Sequence, residues 1–165
     1  MQSVENKVIP EENNDTGVTD NASKENKAVK EVMILDDRTF QDRLYIIRGQ
    51  KVMLDFDLAE IYGYSTKRFN EQVKRNISKF PEDFMIELNA NDMDKILKSQ
   101  FASSSWGGSR YLPHAFTEQG IYMLMAVLKG PLAVEQSKTL IRLFKQMKDC
   151  IIENHSLIGQ NELAQ

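Results

Sequence analysis

The chain has a single cysteine, Cys150, among 165 residues. One thiol allows no internal disulfide and no multi-cysteine metal site, and it suits a reducing compartment. Histidine is almost as scarce, with His114 and His155 alone. Long apolar runs are missing as well. The longest, such as Ile121 to Leu128, are far too short to span a bilayer. No basic segment followed by an apolar core opens the chain, so no secretory signal is visible and the expected location is the cytoplasm. There is no phosphate-cradling glycine loop. Asp55 and Asp57 are close carboxylates, but Asp57 reads as a helix cap, and Cys150 reads as a core residue of the last helix. His114, beside Pro113, suits packing or hydrogen bonding better than catalysis. With no nucleophile, base or metal constellation, the chain reads as non-enzymatic, with no cofactor and no metal.

Charge is present but unevenly spread. The formal net charge is −3. Residues 1–42 contribute −5, residues 43–150 contribute +4, and residues 151–165 contribute −2. An acidic leader therefore precedes a mildly basic core, and the acidic isoelectric point of the whole chain hides this. Residues 1–35 read as a disordered acidic tail, because scattered apolar residues without aromatics over 1–30 cannot offset the entropy of ordering. The tail could cover the basic face and weaken non-specific binding.

From Leu44 the chain is dense in apolar residues. Leu44–Ile47 and Val52–Leu54 flank Arg48-Gly49-Gln50-Lys51 and read as a β-hairpin. Asp57 would cap a short helix, Leu58 to Tyr62, that Gly63 ends. Ser65 would cap the next, whose Phe69, Val73 and Ile77 form an apolar stripe until Pro81 stops it. Phe84–Leu88 reads as a strand, and Asn91–Gln100 as a helix with Met93, Ile96 and Leu97 inward. Residues 102–109 read as a flexible loop carrying Trp106, and Arg110–Leu112 as a strand returning to 84–88. Thr117 would cap a largely buried helix, Glu118–Leu128. Gly130-Pro131 breaks it before a long amphipathic helix, roughly Leu132 to His155. The fold expected is α+β: a helix-turn-helix core with short β-hairpins, winged-helix-like, and a long C-terminal amphipathic helix. Its divisions are a domain over 36–131, the helix over 132–158 and a flexible tail over 159–165.

The functional signal lies in Leu58-Ala59-Glu60-Ile61-Tyr62-Gly63-Tyr64-Ser65 and the helix after it. A small residue in a short helix, a glycine four positions on, and a capping serine form the grammar of a helix-turn-helix. With Phe69, Val73 and Ile77 inward, Thr66, Lys67, Arg68, Asn70, Lys74, Arg75 and Ser78 fall on the flanks and outer face. Lys67, Arg68, Lys74, Arg75 and Lys79 are opposed only by Glu71. Lys and Arg neutralise phosphates, and Arg, Asn and Gln pair with base edges. The start of a recognition helix usually reaches deepest into the groove, which favours Thr66, Lys67, Arg68 and Asn70. Asn76 reads as structural. Arg110 adds one cation beside the loop with Trp106, which would stack on nucleic acid or fold back onto the protein. A solvated basic helix with no ligand is the plain rival reading.

The ordered blocks Ile47-Arg48-Gly49, Val52-Met53-Leu54-Asp55, Asp57-Leu58-Ala59, Val73-Lys74-Arg75-Asn76, Phe80-Pro81, Asp83-Phe84-Met85 and Ala115-Phe116-Thr117-Glu118-Gln119-Gly120 resemble the KilA-N DNA-binding domain family. The nearest branch stands at the N-terminus of phage antirepressors, and the likeness spans roughly residues 40–150. The resemblance implies binding of double-stranded DNA and a role as a transcriptional regulator or antirepressor tied to a prophage or mobile element. The alternative is a non-enzymatic interaction module. Its 132–155 helix carries a seam, Leu140, Phe144, Met147 and Ile151, at alternating spacings of four and three. That seam leaves three options open: packing on the domain, a homodimer, or docking of a repressor or other protein. No membrane partner is expected.

Overall fold

A computed structural model describes residues 33–99 and 111–163. The expectations for the acidic leader up to residue 32, for the loop 102–109 with Trp106, and for Arg110 lie outside those residues. No helix among the described residues is long and apolar enough to cross a membrane.

The elements run α1 (Asp37–Asp42), β1 (Tyr45–Ile47), β2 (Gln50–Leu54), α2 (Asp55–Ile61), α3 (Thr66–Arg75), a 3₁₀ turn (Ile77–Lys79), β3 (Met85–Glu87), α4 (Ala90–Ser99), β4 (His114–Thr117), α5 (Glu118–Val127) and α6 (Pro131–Leu163). The four strands form one antiparallel sheet in the order β1-β2-β4-β3. The architecture is α+β, with a long C-terminal helix, as the pattern of the sequence implied.

Side chains alternate across the sheet as strand geometry demands. Val52, Leu54, Ile86 and Ala115 point to one face and pack with Met93 and Ile96 of α4. Met53, Met85 and Phe116 point to the other and join Leu58, Phe69, Val73, Ile121 and Leu124 of α2, α3 and α5. The sheet is thus a middle layer between α4 and the helices that carry the candidate site. Phe116 links the layers through edge-on contacts with Phe69 and Phe80, at ring separations of 5.7 and 5.8 Å.

The β1–β2 hairpin turns on only Arg48 and Gly49, with Ile47 paired to Gln50. Both turn residues have positive φ, 51° and 76°, which matches the twist of the flanking strands. The strand expected at 110–112 forms instead at His114–Thr117, where Ala115 and Phe116 supply one residue to each face. It pairs with both β2 and β3. The β3–β4 connection runs through α4, so it is not a simple wing hairpin.

Helix α2 starts earlier than the capping expectation. β2 runs straight into it, and Leu54 stands at the cap without a side-chain bond. Asp57 is therefore a buried first-turn residue and not the cap. Its carboxyl approaches Arg43, with Oδ1 3.6 Å from Nε. Neither Arg43 Nε nor Asp57 Oδ2 finds a hydrogen-bond partner among the described residues. Burial outweighs the nearby guanidinium and pushes the Asp57 carboxyl up to about 7.

Thr117 caps α5 as expected, its hydroxyl accepting from Gly120 N–H. Only Gly120, Ile121, Leu124 and Val127 of that helix are buried, so one face is covered and not the whole of it. α6 is longer than expected and continues to Leu163. Its first half fastens the helix-turn-helix. Gln136 Nε2 donates to the Ile61 carbonyl at 2.8 Å, and Tyr62 and Ser137 share a buried hydroxyl pair at 2.9 Å. Leu140 and Phe144 of the seam are buried against the domain, and Met147 packs partly on it. Ile151 is exposed. Cys150 is exposed too, because the helix has left the domain by then.

Candidate nucleic-acid interface

The turn between α2 and α3 follows from its sequence. The N–H of Tyr64 bonds the Ala59 carbonyl at 2.8 Å, and that of Gly63 bonds the Glu60 carbonyl at 3.1 Å. This paired pattern is a Schellman motif, and it needs a left-handed residue at its centre. Gly63 provides it at φ 70°. A Cβ there would also approach Leu132 of α6 at 3.0 Å. Ser65 then opens α3, its hydroxyl accepting from the Arg68 N–H at 3.2 Å.

Phe69 and Val73 anchor α3 to the core. The helix ends at Arg75, one turn sooner than the stripe suggested, and Ile77 is exposed. Asn76 terminates it, donating from Nδ2 to the Gln72 carbonyl at 2.9 Å. Satisfying that carbonyl lets the chain tighten into the 3₁₀ turn before Pro81. Ile77 thereby rotates off the stripe.

At 100° per residue, the outward face opposite Phe69 and Val73 holds Lys67, Arg68, Glu71, Lys74 and Arg75. Lys67, Arg68, Lys74, Arg75 and Lys79 are all exposed, and Thr66 is half-buried. None of the five cations makes an ion pair among the described residues. By contrast, Arg43, Arg48, Lys98, Lys138, Lys145 and Lys148 are all paired with carboxylates. The face of α3 thus carries four cations against Glu71, none of them held in an ion pair among the described residues.

Asn70 is placed differently from its neighbours. Its Nδ2 donates to Asp55 Oδ2 at 3.1 Å and to the Tyr111 hydroxyl at 2.6 Å. Asp55 is fully buried at the start of α2. The same Oδ2 accepts from the Tyr111 hydroxyl and from the His114 backbone N–H, and Oδ1 accepts from Phe56 N–H at 2.7 Å. His114 Nδ1 lies 3.8 Å away. Hydrogen bonding to that carboxylate raises the pKa of His114 above the ordinary imidazole value. One carboxylate therefore ties α2, α3, the start of β4 and Tyr111 together. Sequence reading missed this hub, since Asp55 stands out there only as a carboxylate close to Asp57. The adjacency of Asp55 to the end of a buried strand was the available signal, because a carboxylate there must find internal donors.

The described residues contain no group of three or more His, Cys, Asp or Glu that could hold a metal ion. What the arrangement offers is a rigidly seated helix with a cationic outer face.

One family model, that of the ORF6N domain, matches residues 42–127, just over half of the chain. No curated protein and no solved structure matches it.

Proposed function

The chain belongs to the ORF6N domain family, a phage-associated domain, and on that footing we propose that it binds double-stranded DNA through the outer face of α3. The earlier resemblance to KilA-N domains pointed to the same phage setting, but the family whose model matches is ORF6N. Lys67, Arg68, Lys74, Arg75 and Lys79 supply the phosphate contacts, and Thr66 stands at the end that enters the groove first. Asn70 serves the domain and not the bases, since its side-chain amide donates to Asp55 and Tyr111 of the domain itself. The role that follows is transcriptional control, as regulator or antirepressor, within a prophage or mobile element. No catalytic step is assigned to any residue.

A single observation carries this reading. Five exposed cations cluster on and just after one helix without an ion pair among the described residues, whereas the other unpaired cations, Arg38, Lys51, Lys95, Lys129 and Arg142, are scattered over the chain. A cationic stripe on a helix seated by a helix-turn-helix suits a polyanion of regular geometry. Titrating the chain against labelled duplex DNA at rising salt tests it. Affinity should fall steeply with salt, and a salt-insensitive interaction would rule out this surface.

A further inference from the structure

The last part of α6 leaves the domain, and every residue from Lys148 to Gln160 is exposed. That overhang carries Ile151, Ile152, Leu157 and Ile158, which are 41 to 66 % exposed. Around the helix, Ile151 and Ile158 fall within about 20° of one another. They continue the line of Leu140, Phe144 and Met147, which the domain already covers. The seam therefore changes owner along its length. Its first half belongs to the domain, and its second half has no cover among the described residues.

Two features select the occupant. The first is a palindrome of polarity in Ile151-Ile152-Glu153-Asn154-His155-Ser156-Leu157-Ile158, with two aliphatic residues at each end and four polar ones between. A two-fold contact requires a surface complementary to itself, so that residue i meets j and j meets i. Antiparallel pairing about an axis between Asn154 and His155 places Ile151 opposite the second copy's Ile158, and the reverse. The second feature is charge segregation. After Glu135, which pairs with Lys138, the cations Lys138, Arg142, Lys145 and Lys148 come first along α6, whereas Asp149, Glu153 and Glu162 follow. Antiparallel pairing brings position 162, a glutamate, opposite the second copy's Met147 and one residue from its Lys148. Parallel pairing would set like charges together.

The domain also has room for the approaching tip. At the point where α6 departs, a cleft of about 460 Å³ opens beside Lys51 and Glu118, with Phe144 and Met147 in its lining. We propose that the overhang of α6 docks a second copy of this chain, antiparallel, with each helix tip reaching the cleft at the edge of the other domain.

Sedimentation of the full chain tests this. The mass should rise from one chain towards two between about 1 and 200 µM, because two short helices make a small interface. Ile158→Asp should leave a monomer throughout that range, with unchanged far-ultraviolet dichroism and melting, since the side chain is exposed and joins neither core cluster among the described residues. Orientation is read by cross-linking. Cys150 and Leu157 lie on one flank, two residues from register in the antiparallel pair, so Leu157→Cys should oxidise to a dimer bridged between position 157 of one copy and Cys150 of the other. In a parallel pair those positions are about 10 Å apart along the axis, too far for a disulfide. A one-chain mass over the whole range, a dimer that survives Ile158→Asp, or bridges joining only equivalent positions would each overturn the proposal.

Discussion

Replacing Lys67 and Arg68 together by Ala removes two of the five unpaired cations on the α3 surface. Each phosphate neutralised on duplex DNA contributes about −0.9 to the slope of log affinity against log salt. If all five reach phosphates, the slope is about −4.5, and affinity falls about 500-fold between 50 and 200 mM salt. The double variant should show a slope near −2.7 and a fall of only about 40-fold over the same range. Both side chains are exposed and carry no ion pair among the described residues, so stability should shift by no more than about 0.5 kcal/mol. Fluorescence anisotropy on a labelled duplex at four salt concentrations reads the slope, and a thermal melt checks the fold. A variant with the parental slope and an intact melt would show that α3 does not face the DNA. Equal loss at every salt concentration would argue for base contacts in place of phosphate contacts.

Other perturbations probe the scaffold. Gly120→Ala would put a Cβ 1.9 Å from the Phe84 carbonyl oxygen, a backbone atom that also accepts from Thr117 N–H at 3.1 Å; after a helix-propensity gain of about 1 kcal/mol, a net loss of about 2 kcal/mol or more is expected, seen as a fall in melting temperature. Asn70→Ala should destabilise by about 1–3 kcal/mol, as the buried Asp55 carboxylate loses a donor. The variant should leave the salt slope untouched, and an altered preference among DNA sequences with full stability would return Asn70 to the base-reading set. Asp57 is protonated more readily folded than unfolded, its carboxyl standing at about 7 against an ordinary value of 3.8. Its contribution is fully present below the lower value and is lost as pH rises through about 7. The raised His114 acts in the same direction, its contribution fading as pH climbs through its folded value. Denaturant titrations from pH 4 to 8 should show stability declining, and Asp57→Asn should flatten part of that decline; an unchanged pH profile would refute the assignment.

Much of this architecture can be read in local chemistry. Gly63 acts through its own backbone and Ser65 through a hydroxyl that accepts from a backbone N–H three residues on, so the turn between α2 and α3 is visible without knowing distant neighbours. Thr117 and Gly130 are legible for the same reason. The misplacements arise where distant residues decide. Asp57 has the composition of a cap, but β2 runs into α2 and carries it one turn inward, against Arg43. Ile77 fits the period of Phe69 and Val73, yet Asn76 satisfies the Gln72 carbonyl and ends the helix first. Tyr111 and Leu112 suit a strand, but the pairing with Met85–Glu87 falls on His114–Thr117, where alternation serves both faces of the sheet. Of the candidate site, the charges were legible because they are local, whereas the commitment of Asn70 was not. Its partners lie 15 and 41 residues away.

That difference bears on how the surface can vary. The cations of α3 have no partners among the described residues, so exchanging them changes the charge and shape offered to a ligand at little cost to the fold. Asn70 cannot be exchanged as freely, because it shares a buried oxygen of Asp55 with the His114 backbone and Tyr111. A buried carboxylate that loses one of its donors costs more than a single surface contact gains. The geometry separates two jobs within one helix. One side is locked to α2 and β4 and fixes the angle at which α3 stands, and the other is free to carry whatever recognition the target demands. A substitution at Lys67 or Arg68 should therefore alter binding alone, whereas one at Asn70 or Asp55 should alter folding first and binding only through it.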